Sequence, residues 1–596
     1  MKLNYKSLLT ATALLVAAAT SLTSCLEETF PTGSTATSPQ VAGNIGALSG
    51  GISAYMTTFT TDYYYDVGFM TNFVVRDCMA GEMPIYKTGY DYFSYWCDQT
   101  YLGNWAWQQL IWYRYYYLIQ KANDLINVSG DEYTKRQYDC EDAAYIGDAL
   151  GYRIYAYSEL SDIYEYLPTG VASLDDNATA KGLWGLTVPI VTQETTEHQA
   201  RQNPRVPFYT MYRFINQDIN DAIGYLKHQE LSQDNKVHLG TAYGLAARLW
   251  LKIATRFERH PEDLATLIEH EDDSEIPYAP LGVTTAIDAY AKAAEFARLA
   301  INRGYTPMTQ SQWYDPKTGF NTPNSSWMWC ITITSSDNLA NQTWQSFQSY
   351  CSMEPSYGVG SFYPTESGDG YNAGRMIDAN LFKEISSSDW RRATWVDPRD
   401  AGEQAAYEST YKAGTNLTYE QWKYTPGYAG NKFHPGSGNC TQSKVGNVFS
   451  LPLMRVEEMY LIEAEAVAHS QGIGAGAALL EHFMNTYRYT DNSYTANTTD
   501  MNQFTTDLLR QKRIEFWGEG IVLWDYRRLA LPVVKAYEGT NHPKIYQFNS
   551  YAGYVAPWST LFIPTNEVQM NTAIIANPDP SNAIPAGEQY EPSYTY

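Results

Sequence analysis

The sequence predicts a mostly α-helical protein of consecutive helix pairs, interrupted by long irregular aromatic-rich loops and closed by a loop-rich C-terminal wrap. Three observations predict it. Apolar residues recur at steps of three and four along segment after segment. Two stretches, about 62–101 and 304–380, lose that period and interleave Gly, Ser, Thr, Asn and Pro with many aromatics. Beyond Leu531 the chain becomes rich in Pro, Gly and Tyr.

The N-terminus reads as an export signal. Lys2 and Lys6 form a basic region, Leu8 to Ala19 is an apolar run of signal-peptide length, and Leu22-Thr23-Ser24 leads into Cys25. A spanning helix needs roughly 20 apolar residues, and Thr20, Ser21, Thr23 and Ser24 interrupt the run too early. Ser24-Cys25 resembles a lipobox, which implies cleavage after residue 24 and lipidation of the Cys25 thiol. One acyl chain binds a membrane only marginally, so durable anchoring takes several, and the lipoprotein resemblance implies several on Cys25. Residues 25–43 have the composition of a flexible tether, with Glu27 and Glu28 beside the lipid site resembling a surface-export signal. Residues 44–596 are then one helical binding domain.

Within that domain the stripes follow in order. Ile146, Leu150, Ile154, Tyr157, Leu160 and Tyr164 share a helix face, as do Leu239, Tyr243, Ala246, Trp250, Ile253 and Phe257, with Asp234 or Asn235 available as N-cap. Further stripes run through Ala289–Ile301, Leu453–Val467 and Leu508–Phe516, the last with Asp500 and Gln503 at capping-box spacing. The pairing is TPR-like, resembling a stack of tetratricopeptide repeats without their strict period or signature. Trp105, Trp107 and Trp112 open a helix and are expected in the core.

Composition excludes several functions. The 596-residue chain has 65 acidic against 41 basic residues, a net charge of −24, which disfavours nucleic-acid binding and strongly anionic ligands. Of 7 cysteines, the six after Cys25 form no CxxC pair, so no metal site is expected; Cys78–Cys97 or Cys330–Cys351 disulfides and buried free thiols are equally compatible with the spacing. The 9 histidines include no HExxH, and there is no GxSxG elbow. Gly472-Ile473-Gly474-Ala475-Gly476 follows a helix instead of a strand, and is expected to break one helix before the next instead of holding a dinucleotide. No catalytic residue and no cofactor are predicted.

The aromatics are the better guide. A sugar ring offers an apolar CH face and a rim of hydroxyls; flat Trp and Tyr cover the first, and Asn, Asp, Gln and Arg address the second. The expected ligand contacts are Trp96, Tyr101, Trp313 and Trp344, with Arg76 and Asp77 as hydrogen-bonding partners.

Six segments, in order, resemble one family. Trp112-Tyr113 to Ala122-Asn123 is similar to its first long helix. Gly147-Asp148-Ala149 to Tyr164, then Leu167-Pro168, resembles its next, with Asp148 in place of Glu and Arg153 retained. Lys236 to Leu251 resembles its alanine-rich helix, and Leu451 to Ala466 matches its R-x-A-E-M-Y-L-x-x-A-E-A pattern most closely. Arg513-Ile514-Glu515-Phe516 through Gly518-Glu519-Gly520 to Trp524-Asp525-Tyr526-Arg527-Arg528 and Leu561-Phe562-Ile563-Pro564 to Asn577-Pro578 complete the set. The chain thus resembles the SusD/RagB family of outer-membrane nutrient-binding lipoproteins. The resemblance implies a lid over a SusC-like TonB-dependent transporter, capturing oligo- or polysaccharide at the cell exterior, with ligand contacts from the loop regions. A peptide-binding protein of the RagB kind and a helical glycosidase or lyase are the rival readings. In the matched segments Arg455, Glu457, Glu463, Arg513, Glu515, Asp525 and Arg527 lie beside apolar residues and are expected in structural ion pairs.

Overall fold

The computed structural model describes residues 44–61, 65–85, 91–97, 106–357 and 375–581, without the side chains of 95 and 106–108. Its helices of eight residues or more are α1 (Ile45–Tyr55), α2 (Thr71–Ala80), α3 (Ala106–Ser129), α4 (Ala143–Tyr164), α5 (Ala172–Lys181), α6 (Phe208–Leu226) and α7 (Leu239–Arg259). They continue as α8 (Pro261–Glu269), α9 (Ala286–Ile301), α10 (Val456–Gln471), α11 (Ile473–Tyr487), α12 (Met501–Glu515) and α13 (Val522–Leu529). The protein is mostly α, as the periodicity requires. Packing is serial: α3 lies on α4, α4 on α6, α6 on α7, α7 on α9, α9 on α10 and α10 on α11. One continuous apolar core runs through this stack.

Local chemistry sets the boundaries. Thr285 and Asp288 cap α9 reciprocally, each side chain taking the other's backbone N–H at 3.0 Å. Asp500 accepts from Gln503 N at 2.9 Å and starts α12. Gly472, at φ +107°, separates α10 from α11, so the glycine-rich segment is the helix break expected of it. The cap of α7 is His238, not Asp234 or Asn235. The chain stays extended beyond those two because Asp148 accepts from Val237 N at 2.9 Å and from Lys236 Nζ at 3.2 Å, holding the segment against α4.

Three expectations need correction. The stripe at Leu453–Val467 is helical only from Val456, because Ser450–Arg455 forms strand β2, antiparallel to β1 (Trp327–Thr332) with Ile331 opposite Leu451. Both stretches taken as irregular contain regular elements, α2 in the first and β1 in the second. Phe73-Val74-Val75 and Trp327-Met328-Trp329 are apolar runs too short to show a period, yet wholly buried. The pair of strands lies against α7, where Gly244 permits the approach: a Cβ there would sit 2.2 Å from Met454 Sδ.

After α13 the described residues form short helical turns and a Val534–Asn549 bridge, and strap back over the stack. Leu561 N donates to Ile163 O at 2.9 Å and Val555 N to Pro168 O at 3.0 Å. Buried Arg205 clamps the strap, donating to Tyr164 O, Leu186 O and Asn577 Oδ1. With no carboxylate bonded to it, burial pulls its pKa down to about 10.

The charges in the matched segments are paired as expected. Arg455 meets Glu457, Glu515 and Glu519, Glu463 takes Arg298, Arg513 takes Glu82, and Asp525 takes Lys512 and Arg528. Arg527 is the exception. Its bonds go to Ser559, Thr560 and the Glu165 carbonyl, all neutral acceptors. The six cysteines after Cys25 are free thiols, and among the described residues no helix is long and apolar enough to cross a membrane.

Candidate functional site

The expected contact residues divide sharply by burial. Arg76 and Asp77 lie on α2, every residue of which is buried. The Arg76 guanidinium pairs with Glu159, donates to Tyr115 Oη at 2.8 Å and lies 4.5 Å from the centre of the Trp524 ring. Asp77 accepts from Gly518 N, and burial pushes its carboxyl well above the usual carboxylate range. The pair fastens α2 to α3, α4 and the turn after α12. Neither faces outward.

Trp96 and Trp313 are likewise core residues, each 0% exposed. Trp96 meets Tyr65 edge-on at 6.3 Å. Trp313 Nε1 donates to Thr394 Oγ1 at 3.0 Å, with Lys432 Nζ 5.0 Å from the centre of its six- and five-membered ring system. Both sit in short helical turns whose ends are capped locally, by Asp91 ahead of residues 92–96 and by Thr309 ahead of 310–313. With the backbone satisfied inside the turn, the ring is free to point inward. The expectation that Arg76, Asp77, Trp96 and Trp313 touch ligand is therefore corrected: Arg76 and Asp77 lie on a helix buried on every face, and the two rings turn into the core from short capped turns. Tyr101 lies outside the described residues, as does Cys25; Trp112 is in the core as expected.

Trp344 differs. It is 40% exposed, and exposed Asn341 and Thr343 flank it. Its backbone is nevertheless fixed: buried Gln345 donates through Nε2 to Thr60 O at 2.9 Å and Asp66 O at 3.2 Å, and Ser349 Oγ donates to Trp344 O. Trp344 is thus a part-exposed flat ring on a backbone held in place by these bonds, with exposed Asn341 and Thr343 close to it in the chain.

The Gln345–Thr60 bond ties Trp344 to the segment carrying half-buried Phe59 and Tyr55. Tyr55 meets Tyr117 edge-on at 6.3 Å, and Tyr117 is 54% exposed. These rings were not singled out in the sequence. A signal existed: Tyr113, Tyr117 and Lys121 follow at steps of four on the outer face of α3, while Trp112 and Tyr115 on its inner face are buried.

The SusD family model matches residues 309–579. That span thus carries the SusD-family pattern. A SusD-like carbohydrate-binding protein from Bacteroides vulgatus superposes with a TM-score of 0.63 at 18% identity, over 89% of this chain and 97% of its own. A SusD superfamily protein from Bacteroides thetaiotaomicron gives 0.59 at 18% identity, over 90% and 99%. Surface glycan-binding protein A from Bacteroides thetaiotaomicron, in complex with laminarihexaose, gives 0.56 at 15% identity, again over 90% and 99%. No curated relative matches the sequence itself. The six segments that carry the resemblance build the body of the fold: α3, α4, α7, the β2–α10 junction, the α12–α13 corner and the C-terminal strap.

Proposed function

We propose that this SusD-family chain is a surface lipoprotein, anchored in the outer membrane through Cys25, that binds oligo- or polysaccharide as the lid of a SusC-like TonB-dependent transporter. The observation that carries the reading is the Trp344 platform, an exposed ring beside Asn341 and Thr343 on a fold shared with a laminarihexaose-bound protein. The indole covers the CH face of a pyranose while the neighbouring amide and hydroxyl meet its rim. The role is capture, not turnover, and the barrel supplies the passage.

The test is purification from detergent-solubilised outer membranes, followed by titration with neutral glycans and, in parallel, peptides. Co-purification with a large β-barrel and glycan binding weakened by Trp344→Ala is the expected result. Isolation as a lone monomer, preference for peptides, or hydrolysis of an oligosaccharide by the pure protein would each overturn the reading.

A further inference from the structure

The thiols beyond Cys25 do not all keep the same company. Cys330 Sγ donates to Asp234 O at 3.3 Å, and Cys440 Sγ to Gly438 O at 3.6 Å. Cys140 bonds the Glu132 carboxylate, and Cys351 the Arg375 guanidinium. Cys78 instead bonds a second thiol, that of Cys97. Of the two pairings the sequence spacing allows, the structure therefore brings Cys78 to Cys97 and gives Cys330 and Cys351 other partners.

The backbone holds these two thiols together by contacts that do not involve sulfur. Cys78 lies on α2, and Cys97 ends the helical turn 92–96, which packs on α2. Asp91 fixes the front of that turn, accepting from Phe93 N at 3.1 Å and from Arg375 Nη2 at 2.9 Å. Cys97 N closes its end on Ser94 O at 3.1 Å. Lys535 then spans both backbones. Its Nζ donates to Cys97 O, while its stem lies against Gly81, where a Cβ would come 3.2 Å from Lys535 Cγ. Gly81 N in turn donates to Cys78 O at 3.2 Å. Both cysteines are buried.

We infer that Cys78 and Cys97 form a modification site, oxidised to a disulfide in the exported chain by a thiol–disulfide oxidoreductase. The inference rests on the reading of the N-terminus as an export signal, because disulfides form and persist in oxidising compartments. One cysteine thiolate attacks a sulfur of the oxidant's disulfide, forming a mixed disulfide and releasing the oxidant's other sulfur as a thiol. The second cysteine thiolate displaces the first oxidant sulfur and closes the Cys78–Cys97 bond. Two S–H bonds are lost from the chain, one S–S bond forms, and the two electrons and two protons leave on the reduced oxidant.

The order of events follows from burial. The bond with Cys97 and desolvation push the Cys78 thiol well above the usual range, so the closed pair holds almost no thiolate, the reactive form. Oxidation belongs to the folding chain, before α2 and the 92–96 turn have closed on each other. The finished bond fastens the turn that carries Trp96 to α2 and restricts the unfolded chain by closing the loop 78–97.

The experiment maps the cysteines. The full mature chain is isolated from outer membranes, denatured without reductant, alkylated with iodoacetamide, digested and read by mass spectrometry. A second sample is unfolded, reduced, refolded in mixed oxidised and reduced glutathione, and mapped in the same way. The expected result in both is a cross-linked Cys78–Cys97 peptide, with Cys140, Cys330, Cys351 and Cys440 alkylated. Cys97→Ala should abolish the cross-link and leave Cys78 alkylated, whereas Cys351→Ala should keep it. Alkylation of both Cys78 and Cys97 in the chain taken from outer membranes, or a cross-link from either to another cysteine, would overturn the inference. Fractionation of the same cells checks the export reading separately. A chain absent from the outer membrane fails that reading, and the refolded sample then still decides the pairing, which an uncross-linked map overturns.

Discussion

Arg455 Nη1 lies 3.0 Å from Glu515 Oε1, with both side chains completely buried. The contact joins the end of β2 to the end of α12 and is the centre of a larger network. Arg391 and Arg488 also reach Glu515, Glu457 meets Arg455 and Arg488, and Lys432 shares Glu519 with Arg455. With Asp389 on Arg391, four cations face four carboxylates. Burial pulls Lys432 down to about 8, partly countered by Glu519. Such a network fixes which elements meet, because each alternative packing would strand a charge.

Removing the shared carboxylate should therefore be severe. Glu515→Gln leaves three buried guanidiniums short of a counter-charge and is expected to cost about 3–5 kcal/mol in denaturant unfolding, the magnitude for breaking a buried pair. A loss below about 1 kcal/mol would show that the network contributes little.

The same group sets an acid limit. Burial alone would raise the Glu515 pKa, but Arg488, Arg455 and Arg391 together hold it well below the usual range. Its folded value thus lies under the unfolded value of about 4.3, so its contribution is complete above that pH and is lost as pH falls through the folded value. The stability gap between parent and Glu515→Gln should be constant from pH 7 to about 5 and shrink below about 4.3. A gap that does not narrow in acid contradicts the assignment.

The sequence disclosed the fold better than the site, for physical reasons. Long amphipathic helices advertise themselves: α4, α7 and α9 begin and end within a few residues of their stripes, and Gly472 marks its own break. Short buried elements do not. The run Trp327–Ile331 has no period because both its faces are covered, and α2 is buried all round. Burial of a single aromatic is less legible still. Trp96 and Trp344 sit in similar company in the sequence, yet one is sealed in the core and the other is open. The difference lies in long-range partners, Tyr65 for the first and the Gln345–Thr60 tie beside the second, which composition cannot reveal.

Anchoring can be tested apart from folding. If Cys25 carries the lipid, Cys25→Ala should move the protein from the membrane fraction to the soluble one without changing its melting temperature, since the substitution lies ahead of α1. Several acyl chains are needed for durable binding at about 0.8 kcal/mol per buried methylene. A variant that still sediments with outer membranes and resists high salt would rule out the lipid anchor.

The last prediction sets Trp96 against Trp344. Trp96 is fully buried, so Trp96→Ala leaves a cavity the size of an indole and should cost about 3–5 kcal/mol of stability. Any loss of ligand binding in that variant should follow its melting curve. Trp344 contributes its backbone carbonyl to the fold, an interaction that alanine keeps, while its ring is exposed. Trp344→Ala should therefore change stability by less than about 0.5 kcal/mol. Ring stacking is worth about 0.5–1.5 kcal/mol beyond the area buried, and 1.4 kcal/mol is a factor of ten in affinity, so glycan binding at the platform should weaken about tenfold. Thermal melts and calorimetry on the two variants read both quantities. A large stability loss in Trp344→Ala would make its ring a packing residue, and unchanged platform affinity would move the ligand away from it.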